Sequence, residues 1–358
     1  MNKYKENLLS ILLILFCFIG SLSAFWKTIK PDDIKYSKEN MKQPEITIGV
    51  NPWSVRSIDT QVISKHWLNV SRESIKEQVD LIKSLGANYV AIGTPYDRAD
   101  DMRLWVDEIH NAGMNVWFRS HWNEWEGDEG QPSTLKAKNY LDKTYNFIKI
   151  NPDLFHPGDS FTMCVEAEQV GVGLGKRFLN WDEYKVFLLD QIYLSNQAFS
   201  EIGLKGKIHT NWLSTNGWVV ENIFDEKLVS NIGLITVDHF VGQTNTIGGV
   251  EDSDELVEQT INDLNMFHNM FGKPIFLGEW GYQIYQNVPD VRQANVINKM
   301  YSKLQTLDYL IGTNYWVHMG NTSSLFGDES GSNITPRFGA EVIKHFYAPT
   351  SAIEENNR

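Results

Sequence analysis

The feature that most constrains the fold is a regular alternation of short apolar runs with longer amphipathic stretches, beginning near residue 45. Short apolar runs separated by helix-length segments are typical of βα units that build a parallel sheet. Eight runs have the length and composition of buried strands. They are 46–50, 89–93, 115–118, 161–165, 207–209, 234–237, 275–277 and 311–316.

The intervening segments have the periodicity of amphipathic helices. In segment 71–85, Ser71 is a suitable N-cap, and Ile75, Val79 and Ile82 form an apolar stripe. The same pattern indicates a helix in each of the other intervals. These further helices are predicted at about 99–112, 134–149, 182–203, 218–230, 253–271, 290–308 and 337–346.

Eight strands alternating with eight helices predict a single-domain (β/α)8 barrel spanning residues 46–349. A doubly wound open sheet is the alternative, but it more often has fewer strands and a glycine-rich first turn. The spacing of Gly171, Gly173 and Gly175 matches neither the dinucleotide-binding fingerprint nor the phosphate-binding loop. We therefore predict no cofactor.

The N-terminus has the pattern of an export signal. Lys3 and Lys5 precede an apolar run over 8–25 that ends in small residues. We predict a signal peptide at 1–24, cleaved after Ala24, and a secreted or cell-envelope protein. An uncleaved anchor is the alternative, because the run is nearly long enough to span a bilayer. A polar linker and a polar tail are predicted at 25–45 and 350–358.

Charge and cysteine content exclude several classes of protein. The formal net charge is -13, and no cluster of lysine and arginine provides the basic surface that nucleic acid requires. The two cysteines are Cys17 and Cys164, so removal of the signal leaves one thiol and no intrachain disulfide. Metal sites built from several cysteines are excluded for the same reason.

The residues just after each strand hold most of the chemistry. In a barrel these positions converge on one face. Glu166 and Glu168 follow strand four, and Glu279 follows strand seven. Six of the twelve tryptophans also lie at strand ends, where a role in the core is harder to argue. The other candidate substrate contacts at these ends are Arg119, His121, Trp122, Trp212, Asp238, His239, Trp280 and Trp316.

Paired carboxyls and aromatic planes suit the cleavage of a carbohydrate. Hydrolysis of a glycosidic bond needs one protonated carboxyl for the leaving oxygen and one ionised carboxyl as nucleophile or base. Strands four and seven face each other across a barrel, so Glu166 and Glu279 can approach from opposite sides. Sugar rings stack on aromatic planes through their C–H groups, so the tryptophans predict a carbohydrate partner.

A metal site is the competing interpretation of this face. His121, His209, His239 and His318 all lie on it in the predicted barrel. Barrel metallohydrolases usually have a closely spaced pair of ligands on the first strand, and the segment 51–53 offers none. We therefore predict no catalytic metal.

With these motifs, the chain resembles the glycoside hydrolases of clan A, in particular the family 5-like cellulases and mannanases. The strand-seven motif Gly-Glu-Trp-Gly at 278–281 carries the resemblance, which extends over about 46–346 as spaced motifs. It implies a (β/α)8 barrel in which Glu279 is the nucleophile. His121 and Trp316 fall where the family has a substrate-contacting histidine and a sugar-stacking tryptophan.

Two strand ends depart from the family pattern. The family reads Asn-Glu-Pro after strand four, whereas this chain reads Val-Glu-Ala-Glu at 165–168. Glu166 is the preferred acid/base, and Glu168, which has the same strand parity, stays open as the alternative. After strand six the family often has His-x-Tyr, whereas the triplet 238–240 is Asp-His-Phe.

The sequence thus predicts a retaining glycoside hydrolase acting on a poly- or oligosaccharide through two glutamates. The departures after strands four and six leave two alternatives open, which are a non-catalytic carbohydrate-binding barrel and a transglycosylase using the same site. Membrane attachment is expected only through residues 8–25, if the signal is not cleaved.

Overall fold

The computed structural model describes residues 52–65, 70–123, 135–168, 181–238, 253–283, 290–327 and 334–348. The predicted signal, linker and tail lie outside these ranges, as does His239. Within them, the helices lack the length and apolar character needed to cross a bilayer.

Eight parallel strands form one sheet in the order β4-β3-β2-β1-β8-β7-β6-β5. This order places β1 beside β8, as in a barrel, so the predicted (β/α)8 fold is confirmed. The strands are β1 Val55–Asp59, β2 Tyr89–Ile92, β3 Asn115–Phe118, β4 Ser160–Phe161, β5 Thr215–Asn216, β6 Ile235–Asp238, β7 Ile275–Trp280 and β8 Leu310–Tyr315.

Helices follow the strands much as the periodicity predicts. The interval 218–230 contains two short helices instead of one, and an extra short helix follows β1. The helices are α1 Gln61–Lys65, α2 Arg72–Ser84, α3 Ala99–Asn111, α4 Ala137–Ile150, α5 Trp181–Glu201, α6 Gly217–Ile223, α7 Glu226–Val229, α8 Ser253–Phe271, α9 Asp290–Leu304 and α10 Phe338–Tyr347.

The first strand differs from the prediction. Val55–Asp59 pairs with β2 on one side and β8 on the other, so it is the first strand of the barrel. The predicted strand at 46–50 lies outside the described residues. The error has a physical cause, because Ser57 and Asp59 are polar residues that point into the barrel and break the apolar run used to recognise a buried strand.

Strand five is also displaced along the chain. The predicted segment 207–209 touches β4 only at its end, where the His209 carbonyl accepts a hydrogen bond of 2.8 Å from the Phe161 amide. The strand that pairs with β6 is Thr215–Asn216, through Thr215 and Val237. Two short segments therefore fill the place between β4 and β6. His209 pairs with β4, and β5 pairs with β6.

The barrel interior has an apolar floor beneath the candidate site. Trp117, Trp212 and Phe276 pack together, with ring centroids 4.7–5.5 Å apart, and all three are buried. The Arg119 guanidinium lies 4.8 Å from the centroid of the Trp117 ring. The interior thus changes from an apolar layer to a charged layer within two residues of β3, because residues i and i+2 of a strand share a face.

Candidate active site

A buried arginine lies at the centre of the charged layer. Arg119 directly follows β3 and is 0% exposed. Its Nη1 donates to Asp59 Oδ2 at 2.5 Å, and its Nη2 donates to Glu279 Oε2 at 2.6 Å and Asp238 Oδ2 at 3.2 Å. One guanidinium therefore holds carboxylates from three strands, β1, β6 and β7, in one cluster.

Neutral donors complete this cluster. Ser214 donates to Asp238 and accepts from Arg119 Nη2 at 3.0 Å. Asn314 donates from Nδ2 to Asp59 Oδ2 at 3.0 Å. Even with these bonds, three carboxylates face one guanidinium, so full ionisation leaves two negative charges uncompensated in a buried site. Such a site favours retention of a proton by one of its carboxyls.

A β-bulge directs Glu279 into the site. The register between β6 and β7 shifts so that Val237 pairs with Leu277 but Asp238 pairs with Glu279. The residue passed over is Gly278, where an added Cβ would lie 2.5 Å from Asp238 Oδ1. The glycine therefore permits the close approach of the Asp238 carboxylate, and the bulge re-aims the following glutamate.

A second cluster surrounds the end of β4. The Asn216 side-chain amide donates to Glu166 Oε1 at 3.1 Å and to Glu168 Oε1 at 2.8 Å. Glu168 accepts two further bonds of 2.6 Å, from the Asn216 backbone amide and from the Tyr184 hydroxyl. Glu168 is buried and Glu166 is half-buried, so Glu166 is the more accessible carboxyl of the two.

The backbone at Glu166 is strained. Its φ is +37°, in the left-handed region that L-residues with a side chain seldom occupy. The Glu166 amide donates to the Ser214 carbonyl at 2.9 Å, which ties this conformation to the chain before β5. Strain of this kind costs about 1–3 kcal/mol and is concentrated at functional sites, where the surrounding structure holds it.

The two clusters differ in how they affect proton affinity. Burial raises the pKa of Glu279 to about 8, and the positive charge of Arg119 is the largest opposing influence. Burial raises the pKa of Glu166 well above its ordinary value of 4.5, and the nearby charge of Glu279 raises it further. Burial raises the pKa of Asp238 to about 6, again opposed by Arg119. Burial therefore favours the protonated form of both glutamates, with Arg119 opposing this effect at Glu279 and the charge of Glu279 adding to it at Glu166.

Two of the predicted sugar-stacking tryptophans are core residues. Trp212 is 1% exposed and belongs to the apolar floor, where His209 also stacks on it. Trp280 is 0% exposed and packs edge-on against Tyr301 and Tyr315. Neither ring has a face open to a ligand, so neither is retained as a stacking residue.

The other predicted contacts differ in exposure. His121 is buried, three residues after the end of β3. Trp122 is half-buried against α4 and donates from Nε1 to Thr144 Oγ1 at 2.9 Å. Trp316 is half-buried directly after β8, and its backbone amide donates to the Trp280 carbonyl at 2.9 Å. Trp316 is thus a predicted tryptophan that keeps exposed surface and contacts the backbone of β7.

The histidines do not form a metal centre in the described part of the chain, where no group of three or more potential ligands is placed to hold a metal ion. His318 is buried, and its Nε2 lies 2.7 Å from Gln78 Oε1. Burial lowers the pKa of His318 to about 3, so this histidine is neutral. His209 lies beside Asp159 and Ser160, at the start of β4 and away from the carboxylates.

Sequence reasoning missed five residues of the site, which are Asp59, Tyr184, Ser214, Asn216 and Asn314. Asp59 and Asn216 lie on the two strands whose positions were predicted wrongly. Tyr184 lies in the first turn of α5 and gave no motif. A search for polar residues spaced two apart, as in Ser57 and Asp59, could have indicated β1.

Two exposed tryptophans mark the rim of this face. Trp181 begins α5 and Trp218 lies in the first turn of α6, and both helices begin at the face where β4 and β5 end. Their side chains are 52% and 43% exposed, and the ring centroids are 5.8 Å apart. A core position for Trp181, which its apolar character suggests, is therefore wrong, and the pair adds an aromatic surface near Asn216.

Comparison with known proteins gives structural matches only. No family model matches the chain, and no curated protein matches it in sequence. A variant of a GH5_18 protein from Bifidobacterium longum, solved with Manβ1-4GlcNAc, aligns with a TM-score of 0.63 at 13% identity. That alignment covers 83% of this chain and 79% of the other.

Two other solved structures have the same fold. A GH5-4 broad-specificity endoglucanase from Clostridium cellulovorans aligns with a TM-score of 0.53 at 12% identity, covering 82% of this chain and 94% of that one. An FMN-binding β-glucuronidase from Faecalibacterium prausnitzii aligns with a TM-score of 0.56 at 15% identity, covering 85% and 45%. The chain thus spans about half the length of this β-glucuronidase. At such identities the likeness shows a shared barrel fold.

Proposed function

We propose that this chain is a retaining glycoside hydrolase that acts on an oligo- or polysaccharide. The observation that carries the proposal is the contrast between two glutamates on the same barrel face. Glu279 contacts the guanidinium of Arg119, whereas Glu166 contacts an uncharged amide and feels the negative charge of Glu279. One carboxyl beside a cation and one beside an anion is the arrangement that general acid catalysis beside a nucleophile requires.

In the proposed reaction, the ionised form of Glu279, which Arg119 favours against the effect of burial, attacks the anomeric carbon as the bond to the leaving oxygen breaks. The Glu166 proton moves to that oxygen, and a glycosyl ester forms on Glu279. Glu166, now ionised, then removes a proton from water, which displaces Glu279 and restores both carboxyls. Arg119 would stabilise the ionised form of Glu279 at the start and end of this cycle.

The fold comparisons support the substrate class. The matched proteins include a GH5-4 endoglucanase, β-glucuronidases and a GH5_18 protein solved with Manβ1-4GlcNAc. We propose a β-linked glycan on this basis. The exposed rim tryptophans Trp181 and Trp218 would offer aromatic surface to sugar residues beyond the cleaved bond.

The test is a polysaccharide panel with wild type and Glu279→Gln. Loss of the nucleophile should reduce turnover on the order of 10⁴-fold or more, since it abolishes the covalent route. Glu108→Gln is a matched control, because Glu108 is also buried and bound to an arginine but lies on α3, outside the barrel interior. Equal activity of Glu279→Gln and wild type would refute the mechanism. Retention itself is read from the anomer first released, by NMR.

A non-catalytic glycan-binding barrel is the second candidate, because residue 165 is valine where the family has its asparagine. It predicts binding without turnover and no covalent label on Glu279 from a 2-deoxy-2-fluoro glycosyl fluoride. A transglycosylase would instead form longer products at high acceptor concentration. We also propose export with cleavage after Ala24, which N-terminal sequencing of the secreted protein would test.

A further inference from the structure

The second glutamate after β4 has contacts that the proposed reaction does not use. Glu168 accepts three hydrogen bonds, two on Oε1 and one on Oε2. Burial raises the pKa of its hydroxyl partner Tyr184 well above the ordinary value, so that partner stays a donor. The two Asn216 N–H groups contact Oε1 and the Tyr184 hydroxyl contacts Oε2, so both oxygens of Glu168 are held in place.

The Asn216 side-chain amide joins Glu168 to Glu166. The Nδ2 atom has two N–H bonds and contacts Oε1 of both glutamates, at 3.1 Å and 2.8 Å. Both N–H bonds are therefore used, and the Glu166 oxygen that receives one of them is Oε1. The proton of a neutral Glu166 then belongs on Oε2, for which the described residues supply no donor.

We propose that Glu168 is a positioning residue which, through Asn216, orients Glu166 and keeps the proton on Glu166 Oε2. Two features of the site support this. Glu168 is one of the negative charges that raise the pKa of Glu166. The strained Glu166 backbone is also bound to the Ser214 carbonyl. We call Glu168 and Asn216 the clamp, because together they hold the Glu166 side chain.

This inference deepens the proposed function, because it assigns the acid/base role to Glu166 and a supporting role to Glu168. The clamp also supplies a side-chain amide next to the acid/base, from β5 instead of from residue 165. The geometry is a property of the protein without substrate, so it can be tested without turnover.

The experiment is a 13C NMR titration of protein labelled at the glutamate carboxyl carbons, with Glu166→Gln to assign the resonance. In Glu168→Gln, the pKa of Glu166 should fall by at least about one pH unit, because a neighbouring negative charge is gone. In Asn216→Ala it should rise, because a donor that stabilises the ionised form is lost. If the substitutions only loosened the packing of the site, the pKa of Glu166 would shift in the same direction in both variants.

An unchanged pKa of Glu166 in folded Glu168→Gln would overturn the clamp. If that variant does not fold, an unchanged or lowered pKa in Asn216→Ala would overturn it instead. The proposed function can fail separately from the clamp. In that case Glu166 of the wild-type protein would titrate as expected, but the protein would cleave none of the glycans tested. In an active enzyme, Glu168→Gln should also move the basic limb of the kcat/KM profile to lower pH.

Discussion

The ends of β4 and β7 present the same side chain in different surroundings. Glu279 belongs to a six-residue strand, is re-aimed by a bulge and contacts a guanidinium. Glu166 follows a two-residue strand, has a strained backbone and contacts an amide that also binds a second carboxylate. A nearby cation lowers proton affinity and a nearby anion raises it, so the partners of the two glutamates act in opposite directions, while burial raises the pKa of both.

The role of each carboxyl is set by its partners across the barrel. Arg119 follows β3, and Asn216 ends β5, far from either glutamate in sequence. Substitutions that alter the partners of one glutamate should therefore change the chemistry of the site.

The largest effects are expected when either glutamate is removed, and removal of the acid after β4 should have an effect that depends on the leaving group. Glu166→Gln should reduce turnover by about 10²–10⁴-fold on substrates with poor leaving groups, since protonation of the leaving oxygen is lost. Aryl glycosides with strongly acidic phenols need no such protonation, so formation of the glycosyl-enzyme should be largely retained. Stopped-flow kinetics of phenol release measures this step.

The same assay with Glu279→Gln gives the contrast. That variant should lose the first step for every leaving group, because no covalent bond can form. Equal sensitivity of the two variants to the leaving group would show that the glutamates do not have distinct roles.

The second effect concerns Arg119, whose guanidinium links β1, β6 and β7. Arg119→Met should destabilise the protein by about 3–5 kcal/mol, because it leaves buried carboxylates without their cation. Urea unfolding at neutral pH measures this free energy. Arg72→Met is a matched control: Arg72 also contacts two carboxylates, but its side chain is 48% exposed, so the loss should be about 1 kcal/mol or less.

The third effect is a dependence of stability on pH. Burial raises the pKa of Glu279 from 4.5 in the unfolded chain to about 8 in the folded protein. The folded state binds the extra proton, so this stabilisation is fully present below about pH 4.5 and is lost as pH rises through about 8. Stability should fall by about 1.4 kcal/mol per pH unit for each such carboxyl within that window.

Urea unfolding at a series of pH values measures this slope. Glu279→Gln and Glu166→Gln should each flatten it, because each removes one carboxyl with a raised pKa. A slope that is the same in wild type and both variants would contradict the assignment of the retained protons.

The smallest effect is expected at the bulge of β7. Gly278→Ala would bring a Cβ within 2.5 Å of both Asp238 Oδ1 and Thr236 Cγ2, so the strand must shift. Overpacking of this kind costs about 1–3 kcal/mol. Thermal unfolding measures the cost, and loss of the Glu279–Arg119 contact should appear as a lower Glu279-dependent activity. Gly113→Ala is a useful reference, because no atom lies within 4 Å of its added Cβ, although its φ of +76° adds strain of its own.

Much of the fold was predictable, and the failures have one cause. Six of the eight strands overlap their predicted positions because their residues are mostly apolar, as in the fully buried β7. β1 and β5 were missed because polar residues of these strands face the site, such as Asp59 and Ser57 in β1. Strands that carry polar function on their inner face lose the apolar run by which strands are recognised.

The sequence also does not show which tryptophans are buried and which are exposed. Trp212 and Trp280 lie near strand ends in sequence but pack into the core, whereas Trp181 is half exposed. A tryptophan gives the same signal in both settings, because its large apolar surface suits a core as well as a sugar. Only the positions of its neighbours decide between them.

The sequence alone predicts the (β/α)8 fold and places Glu166, Arg119, Asp238 and Glu279 on one face. It can do so because the periodicity of each segment and the alternation of strands and helices can be read along the chain. Tertiary structure decided which carboxyl contacts a cation and which shares an amide with Glu168. It also decided which tryptophans are open to solvent. These contacts join residues up to 160 positions apart, as Arg119 and Glu279 are, and their geometry depends on strand register and on the bulge at Gly278. No local pattern records that register, because it arises only when the strands pair.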